Sequence, residues 1–346
     1  MIKNGGFPFN VYSLLYNVCV TTVSDYSAPV TGFLEYDSTL KLQLRAIRAF
    51  LGVPKNACSV GVLSEVSLLL PRYRTNIAMV RQYHRMMKMD DKRLTKQVFL
   101  WDKMLNETNV ISTWSTEVKS VFSDCNMNLI FSTNCSFDLK DTVKRMVENF
   151  KKLQNQYLAA ECAEKPKLRT FIMFKDFENE PAYITKPLNF FQRRMMAKTR
   201  LGCLPIRLET GRYLIPRLPE RERTCLVCKS NLIDIIPAGA DPVGAGPAGA
   251  DPAGENPAGA DLAGVGPVGG GLAGGGPVES EAHFLFHCEK YKTERDIWLS
   301  KMTIPHDFLL FNLETKLKIV LNEPLNVKLT AQFISNAFNI RSKILN

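Results

Sequence analysis

A long tract rich in Gly, Ala and Pro separates two short segments that carry cysteine and histidine pairs. Cys225 and Cys228 precede the tract with two residues between them, and His283 and Cys288 follow it with four residues between them. The tract has too few large apolar residues to form a packed core, so the two pairs flank a loop. We therefore expect the four side chains to close that loop as one metal site.

Zinc is the metal that this residue set favours. It takes about four sulfur or nitrogen ligands in a tetrahedron, and a two-residue gap lets both thiolates of a Cys-x2-Cys turn reach one ion. The second pair can also bind one ion together if residues 282–291 are helical, because ligands about one turn apart then share a face of the helix. His287 is an alternative partner for His283, with the spacing of a finger that uses two cysteines and two histidines. In a third interpretation the cysteines and the histidine are unrelated.

Residues 237–277 repeat a five-residue unit that begins with Pro, as in Pro237-Ala-Gly-Ala-Asp241. Gly recurs at every fifth position and not at every third, which excludes a collagen helix, and the regular Pro residues block an α-helix. We predict that the repeat is a disordered insertion. Lengthening a closing loop from about 12 to about 54 residues costs about 1.3 kcal/mol, whereas a structural zinc contributes on the order of 10 kcal/mol. The metal site therefore tolerates the insertion.

The overall composition favours a basic protein that resides inside the cell. The 346 residues carry a net charge of +10 and a pI near 9.1, which favours anionic partners such as nucleic acid. Nine cysteines without disulfide-framework spacing, beside a Cys-x2-Cys motif, indicate a reducing compartment, either nuclear or cytoplasmic. No run reaches the roughly 18 apolar residues that a membrane-spanning helix needs. We therefore expect no membrane association.

Apolar residues at helical spacing dominate the chain and predict a mainly α fold. The pattern is clearest at 39–51, 71–89, 141–157, 313–321 and 327–345. Changes in composition along the chain predict four regions. These are a helical region at 1–127, a helical basic linker at 138–224, a small metal knuckle at 225–298 that contains the repeat, and C-terminal helices at 299–346.

The densest positive charge of the chain precedes the first cysteine pair. Seven residues of this segment are the predicted nucleic-acid contacts: Arg193, Arg194, Lys198, Arg200, Arg207, Arg212 and Arg217. A basic surface beside a zinc knuckle is a common way to grip the phosphate backbone and unstacked bases of RNA or DNA. In the alternative, these arginines form structural ion pairs that pack the knuckle, for example Arg212 with Glu209.

Seven short motifs form a series along the chain: Asp25-Tyr-Ser-Ala-Pro-Val-Thr-Gly32, Gln43-Leu-Arg-Ala-Ile-Arg-Ala-Phe-Leu-Gly-Val53, Lys167-Leu-Arg-Thr170, Arg200-Leu-Gly202, Glu209-Thr-Gly-Arg-Tyr213, Arg223-Thr-Cys-Leu-Val-Cys228 and Glu281-Ala-His-Phe-Leu-Phe-His-Cys288. Together they resemble the C-terminal part of the reverse transcriptases of non-LTR (LINE-type) retrotransposons. The resemblance covers most of the chain outside the repeat. It implies a thumb, a linker and a zinc knuckle with four ligands, namely Cys225, Cys228, His283 and Cys288. Two features depart from the family: Thr31 stands where a Trp is usual, and the family's knuckle loop is short.

A missing polymerase centre predicts that the chain is not an enzyme. Polymerases of that family carry metal-binding aspartates on a palm sheet, whereas the one Asp-Asp pair here, Asp90-Asp91, follows a basic helix. Without a palm, this pair does not hold the two Mg²⁺ ions of nucleotidyl transfer. A nuclease is disfavoured because Asp307 and Glu314 lie too close in sequence. We predict a palm-less, non-catalytic fragment of an RNA-directed DNA polymerase that binds RNA or DNA. The alternative is a degenerate or host-adopted remnant that acts as an adaptor between proteins.

Overall fold

Helices account for nearly all of the regular structure in the described part of the chain. The computed structural model describes residues 7–34, 37–107, 114–132, 137–229 and 277–345. Within these ranges, the one β element is an isolated antiparallel bridge between Thr224 and Val278. The mainly α fold expected from the sequence is therefore confirmed. Residues 237–276 of the predicted repeat lie outside the described ranges.

The first region is a series of helices around two longer ones. The helix Asp37–Leu51 buries Ile47 and Leu51 on one face, as the apolar spacing predicts, and ends at Gly52, whose φ is +67°. The helix Pro71–Met87 begins with Pro at its first position, where no intrahelical hydrogen bond is lost. The other helical segments are Phe9–Leu15, Tyr16–Thr21 (a π-helix), Thr22–Ser24, Ala28–Thr31, Ser59–Ser64, Leu94–Glu107, Trp114–Asp124 and Asn128–Ser132.

The N-terminal helical segment is less buried than its sequence predicts. The apolar stretch at 11–23 favours a buried helix, yet the side chains of Leu14, Val18 and Val23 are exposed to 62%, 56% and 77%. That prediction is wrong because only one side of the segment, which includes Tyr16, packs against the core. Among the described residues, no helix has both the length and the apolar character needed to cross a membrane.

The middle region is built on two helices with explicit N-terminal caps. The helix Leu139–Ala163 begins where the side chain of Asp138 accepts hydrogen bonds from two backbone N–H groups of the first turn. The helix Phe190–Arg200 begins at a capping box, in which Asn189 and Gln192 exchange side-chain and backbone hydrogen bonds. The shorter segments are Pro166–Leu168, Arg169–Phe174, Ala182–Thr185, Arg207–Thr210 and Glu220–Glu222.

The end of the helix Phe190–Arg200 depends on a glycine. Gly202 adopts φ +61°, and a Cβ atom there would lie 3.0 Å from the backbone oxygen of Lys167. We expect Gly202→Ala to lower the free energy of unfolding by about 1–2 kcal/mol, because alanine resists both the positive φ and the close contact. Urea unfolding measures this loss. Gly202→Asn should lose less, because Asn enters the left-handed region more readily, and the opposite order would contradict this explanation.

The C-terminal helices pack onto the middle region. The last helix, Val327–Leu345, contacts Phe190–Arg200 along its length. Buried residues from all four predicted regions belong to one hydrophobic cluster, so the metal knuckle is packed into a shared core. The domain boundaries stay a prediction. The other segments of the C-terminal part are Lys292–Lys301, Phe308–Leu310 and Leu313–Asn322.

Candidate metal centre

Four ligand atoms converge on one point where the knuckle meets the core. The Sγ atoms of Cys225, Cys228 and Cys288 and a ring nitrogen of His283 all lie within 4.8 Å of one another. Cys228 Sγ is 3.5 Å from both His283 Nε2 and Cys288 Sγ, and Cys225 Sγ is 4.0 Å from Cys288 Sγ. The structure therefore brings the predicted ligand set together, in an arrangement that can hold a metal ion. We refer to these four side chains as the cage.

The distances in the cage fit a tetrahedral ion. With metal–sulfur bonds of about 2.3 Å, tetrahedral angles place two sulfurs about 3.8 Å apart. Two of the three sulfur–sulfur separations in the structure are 3.5 Å and 4.0 Å, and the third is within 4.8 Å. A disulfide needs about 2.05 Å, so the three cysteines are separate thiols. The cage is therefore the right size for one ion with three sulfur ligands and one imidazole ligand.

A short antiparallel bridge positions the first ligand. Thr224 pairs with Val278, and the N–H of Cys225 donates to the carbonyl of Pro277 at 2.9 Å. The helical turn Leu226–Lys229 then carries the second cysteine to the same side. The bridge joins the chain before the Gly/Ala/Pro tract to the chain after it, so backbone hydrogen bonds close the loop as well as the cage does.

A π-helical turn positions the second ligand pair. In His283–His287 the N–H of Cys288 donates to the carbonyl of His283 at 2.8 Å, which is an i to i+5 hydrogen bond. In an α-helix, five residues rotate through about 500°, which leaves the two side chains about 140° apart. The wider π turn brings them onto one side. The helix predicted across 282–291 is thus wrong in detail, because Cys288 adopts extended backbone and interrupts it.

The alternative ligand pair, His283 with His287, is wrong in this structure. His287 is exposed and its ring lies beside Phe286, whereas no atom of His287 belongs to the cage. Cys288, the fifth residue after His283, lies with the other sulfur ligands, whereas His287, the fourth residue, does not.

Two buried arginine contacts support the cage from outside. Glu279 lies 3.6 Å from Cys225 Sγ and forms a buried ion pair with Arg341 of the last helix. Arg295 donates to carbonyl groups of the π-helical turn and of Cys288. Outer partners of this kind orient metal ligands. These outer partners were not predicted, because Arg341 lies 62 residues from Glu279 and no motif marks Glu279 or Arg295.

The three thiols of the cage titrate as one unit. Hydrogen bonding with Cys288 lowers the pKa of Cys225 to about 3, whereas burial raises the pKa of Cys228, and the hydrogen bond with Cys225 raises the pKa of Cys288. One thiolate is therefore favoured, and further thiolates are opposed by burial and by repulsion between like charges. A divalent cation removes that repulsion.

Two of the seven predicted nucleic-acid contacts are buried structural arginines, so those assignments are wrong. Arg200 is 1% exposed, and its guanidinium binds both carboxylate oxygens of Glu65 at 2.9 Å and 3.0 Å. Arg193 is 4% exposed, stacks over the ring of Phe50 and donates to the Phe50 carbonyl. The two arginines are seven residues apart and share the core-facing side of their helix. Both guanidinium groups are therefore too buried to contact a phosphate group.

The other five predicted contacts keep a solvent-accessible side chain: Arg194, Lys198, Arg207, Arg212 and Arg217. Arg194 and Arg217 are exposed, and the other three are half-buried. Arg212 lies 3.6 Å from Glu209, as the ion-pair alternative predicts. In the described part of the chain, the remaining four form no ion pair.

The Asp90-Asp91 pair lies on an exposed turn after the helix Pro71–Met87. Asp90 accepts a hydrogen bond from the backbone N–H of Lys92 at 2.9 Å. Within the ranges that the structure describes, the cage is the one group of three or more Cys, His, Asp or Glu side chains close enough to hold a metal ion.

The chain matches no protein-family model, and comparisons with curated proteins and with solved structures likewise find no match. The resemblance to non-LTR reverse transcriptases therefore rests on the sequence motifs alone. Beyond these motifs, the structure shows that the four ligand side chains form the cage. It also shows which of the basic residues are buried and which are accessible.

Proposed function

We propose that the chain is a nucleic-acid-binding module stabilised by zinc. The observation that carries the proposal is the cage, because three thiols and one imidazole at tetrahedral spacing form a closed donor set. A set of this kind suits structural zinc, whereas a catalytic zinc keeps one position open for water or substrate. The proposed zinc ligands are Cys225, Cys228, His283 and Cys288.

The proposed partner is RNA or DNA, bound through its phosphate groups. Support comes from the net charge of +10 and from the accessible cations that precede the cage in sequence. The N–H of Arg207 donates to the side chain of Glu279, the same residue that lies beside Cys225. Part of the basic surface and the cage thus share one hydrogen-bonded frame, so zinc would fix that part of the surface in place.

The resemblance to the thumb, linker and knuckle of non-LTR reverse transcriptases supports the same role. It implies a palm-less, non-catalytic fragment that works inside the cell, in the nucleus or cytoplasm. A second candidate function is an adaptor between proteins. The observation that favours it is an exposed apolar loop beside the basic surface, in which Ile215 is 99% exposed and Tyr213 is 57% exposed.

Removing two accessible cations should weaken nucleic-acid binding in a salt-dependent way. For the double variant Arg194→Gln, Lys198→Gln we expect a higher Kd for single-stranded RNA at low salt. The slope of log Kd against log salt should fall by about 1.4, because each phosphate contact to a single strand releases about 0.7 counterions. Fluorescence anisotropy of a labelled RNA across a salt series measures both quantities.

A matched control removes the same charge from the last helix. The double variant Lys328→Gln, Lys343→Gln replaces two exposed lysines there and should leave the slope unchanged. An equal loss in both double variants would mean that net charge alone attracts RNA. Affinity that does not change with salt would favour the adaptor function.

A further inference from the structure

A cleft rich in arginine is lined in part by the segment that leads into the first ligand of the cage, Cys225. Its volume is about 360 Å³. Its described lining contains four arginines and one carboxylate, namely Arg169, Arg212, Arg217, Arg223 and Glu220. Arg169 and Arg223 are not among the contacts predicted from the sequence, although both lie in the linker, and the fold brings Arg169 to the other three arginines. The cleft therefore has a formal excess of three positive charges.

Arg223 forms the floor of the cleft. It is 3% exposed, and its guanidinium donates to the carbonyl of Leu218 at 3.0 Å and 2.7 Å and to the carbonyl of Leu208 at 3.0 Å. Carbonyl groups satisfy these donors but do not neutralise the positive charge, which the Glu220 carboxylate of the same cleft offsets only in part. The backbone carbonyl of Arg223 accepts from the N–H of Glu279 at 2.9 Å, and Cys225 follows two residues later. The floor is thus part of the frame that holds the cage.

The walls of the cleft present arginine donors that are weakly held. Arg169 pairs with Glu220 at 3.4 Å, but both side chains are more than 40% exposed, so water screens the pair. Arg212 Nε is buried and forms a long ion pair with Glu209 at 3.6 Å, so only the rest of this guanidinium can face the cleft. Arg217 is exposed and has no ion pair in the described ranges. The arginines that line the walls of the cleft are therefore held only by long or solvent-exposed ion pairs, or by none.

The arginines of the cleft also repel one another. Arg169, Arg212, Arg217 and Arg223 all line the one cleft, and their guanidinium groups are protonated at neutral pH, so four positive charges stand against the single carboxylate of Glu220. An anion in the cleft would relieve this repulsion.

We propose that the cleft binds a phosphate group of the nucleic-acid backbone, an inference that rests on the function proposed above. Arginine forks match the oxygens of phosphate in pairs, and a tetrahedral anion accepts donors from several directions at once. Arg212 and Arg217 contact the phosphate, and Arg223 supports it from beneath with its positive charge. Glu220 competes with the phosphate for Arg169.

Matched substitutions on one segment test the cleft with zinc-loaded full chain and labelled single-stranded RNA. Arg217→Gln and Arg221→Gln each remove one exposed arginine, and only Arg217 lines the cleft. We expect Arg217→Gln to raise Kd about fivefold, through loss of a charge-assisted contact, and Arg221→Gln to leave it near wild type. Glu220→Gln should lower Kd about threefold, because the competing carboxylate is gone. Equal values for wild type and Arg217→Gln, or weaker binding by Glu220→Gln, would overturn the proposal.

A second measurement separates the cleft from the proposed function. Inorganic phosphate added to isotope-labelled protein should shift the Nε–Hε NMR signals of Arg212 and Arg217, and Arg217→Gln should reduce the shift at Arg212. If phosphate shifts these signals but RNA does not bind, the cleft stands and the proposed function falls. If RNA binds Arg217→Gln as tightly as wild type and phosphate moves neither signal, the cleft falls and the proposed function stands.

Discussion

His283→Gln is expected to purify without zinc and to lose the fold of the cage. The ring nitrogen of His283 lies 3.5 Å from Cys228 Sγ, so its removal leaves three buried thiols without a complete donor set. A structural zinc contributes on the order of 10 kcal/mol, which is as large as the whole stability of many domains, about 5–15 kcal/mol. Metal analysis should find about one zinc per wild-type chain and none in the variant. Thermal unfolding of the variant should no longer respond to a chelator.

His287→Gln is the matched control for that experiment. It changes the same residue type on the same π-helical turn, but the side chain is exposed and lies outside the cage. We expect it to keep both the zinc and the wild-type Tm. Zinc lost from His287→Gln and kept by His283→Gln would restore the alternative ligand pair. A wild-type protein that folds fully without metal would remove zinc from the proposed function.

The ligand set could be predicted from the sequence because its information is local. The two ligands of each pair lie within about one helical turn of each other in the sequence. The helices Pro71–Met87 and Val327–Leu345 could likewise be predicted, from the local spacing of apolar residues. The π-helical turn at His283–His287 could not be predicted from the sequence. Its wider geometry depends on the packing around it, here the buried Phe284 and the carbonyl groups that accept from Arg295. Local helix propensity does not report such packing.

The basic surface was predicted less well, because charge does not show which side of a helix is buried. Arg193 and Arg200 have partners in Phe50 and Glu65, which lie 143 and 135 residues earlier in the chain. Pairings over that distance leave no local pattern. The available signal was their seven-residue spacing, which placed both on one side of the helix together with the apolar Met196.

Arg200→Met is expected to destabilise the fold by about 3–5 kcal/mol, because it removes the guanidinium that binds both oxygens of the buried Glu65 carboxylate. Tyr183 also donates to that carboxylate, and Arg200 also donates to the carbonyl of Leu321 at 3.0 Å. The pair therefore joins the first region, the linker and the C-terminal helices. Urea unfolding at neutral pH measures the loss. Arg194→Met, on the exposed side of the same helix, is the control and should change stability by less than about 0.5 kcal/mol.

The pKa of Glu65 determines how the loss of stability in Arg200→Met depends on pH. Burial alone raises it, but the charges of Arg200 and Lys175 and the hydrogen bonds to the carboxylate outweigh burial and hold the pKa below its ordinary value. A carboxyl group with a lowered pKa stabilises the folded state at neutral pH, and this contribution is lost as the pH falls through the lowered value. In Arg200→Met, burial is no longer outweighed, so the pKa of Glu65 rises and the folded variant binds a proton on mild acidification.

The stability difference between wild type and Arg200→Met should therefore shrink between about pH 7.5 and about pH 6. Wild type keeps Glu65 ionised in both states over that range, whereas the variant gains stability as its folded state takes up the proton. Titrating groups distant from Arg200 are common to both proteins and cancel in the difference. Lys175 does not cancel, because Arg200 acts on it and burial lowers its pKa to about 8, so the comparison is made below that value. A difference that stays constant with pH would assign the loss to packing and not to the broken ion pair. Arg200 does contribute packing, because its guanidinium lies 4.8 Å from the ring centre of Phe174.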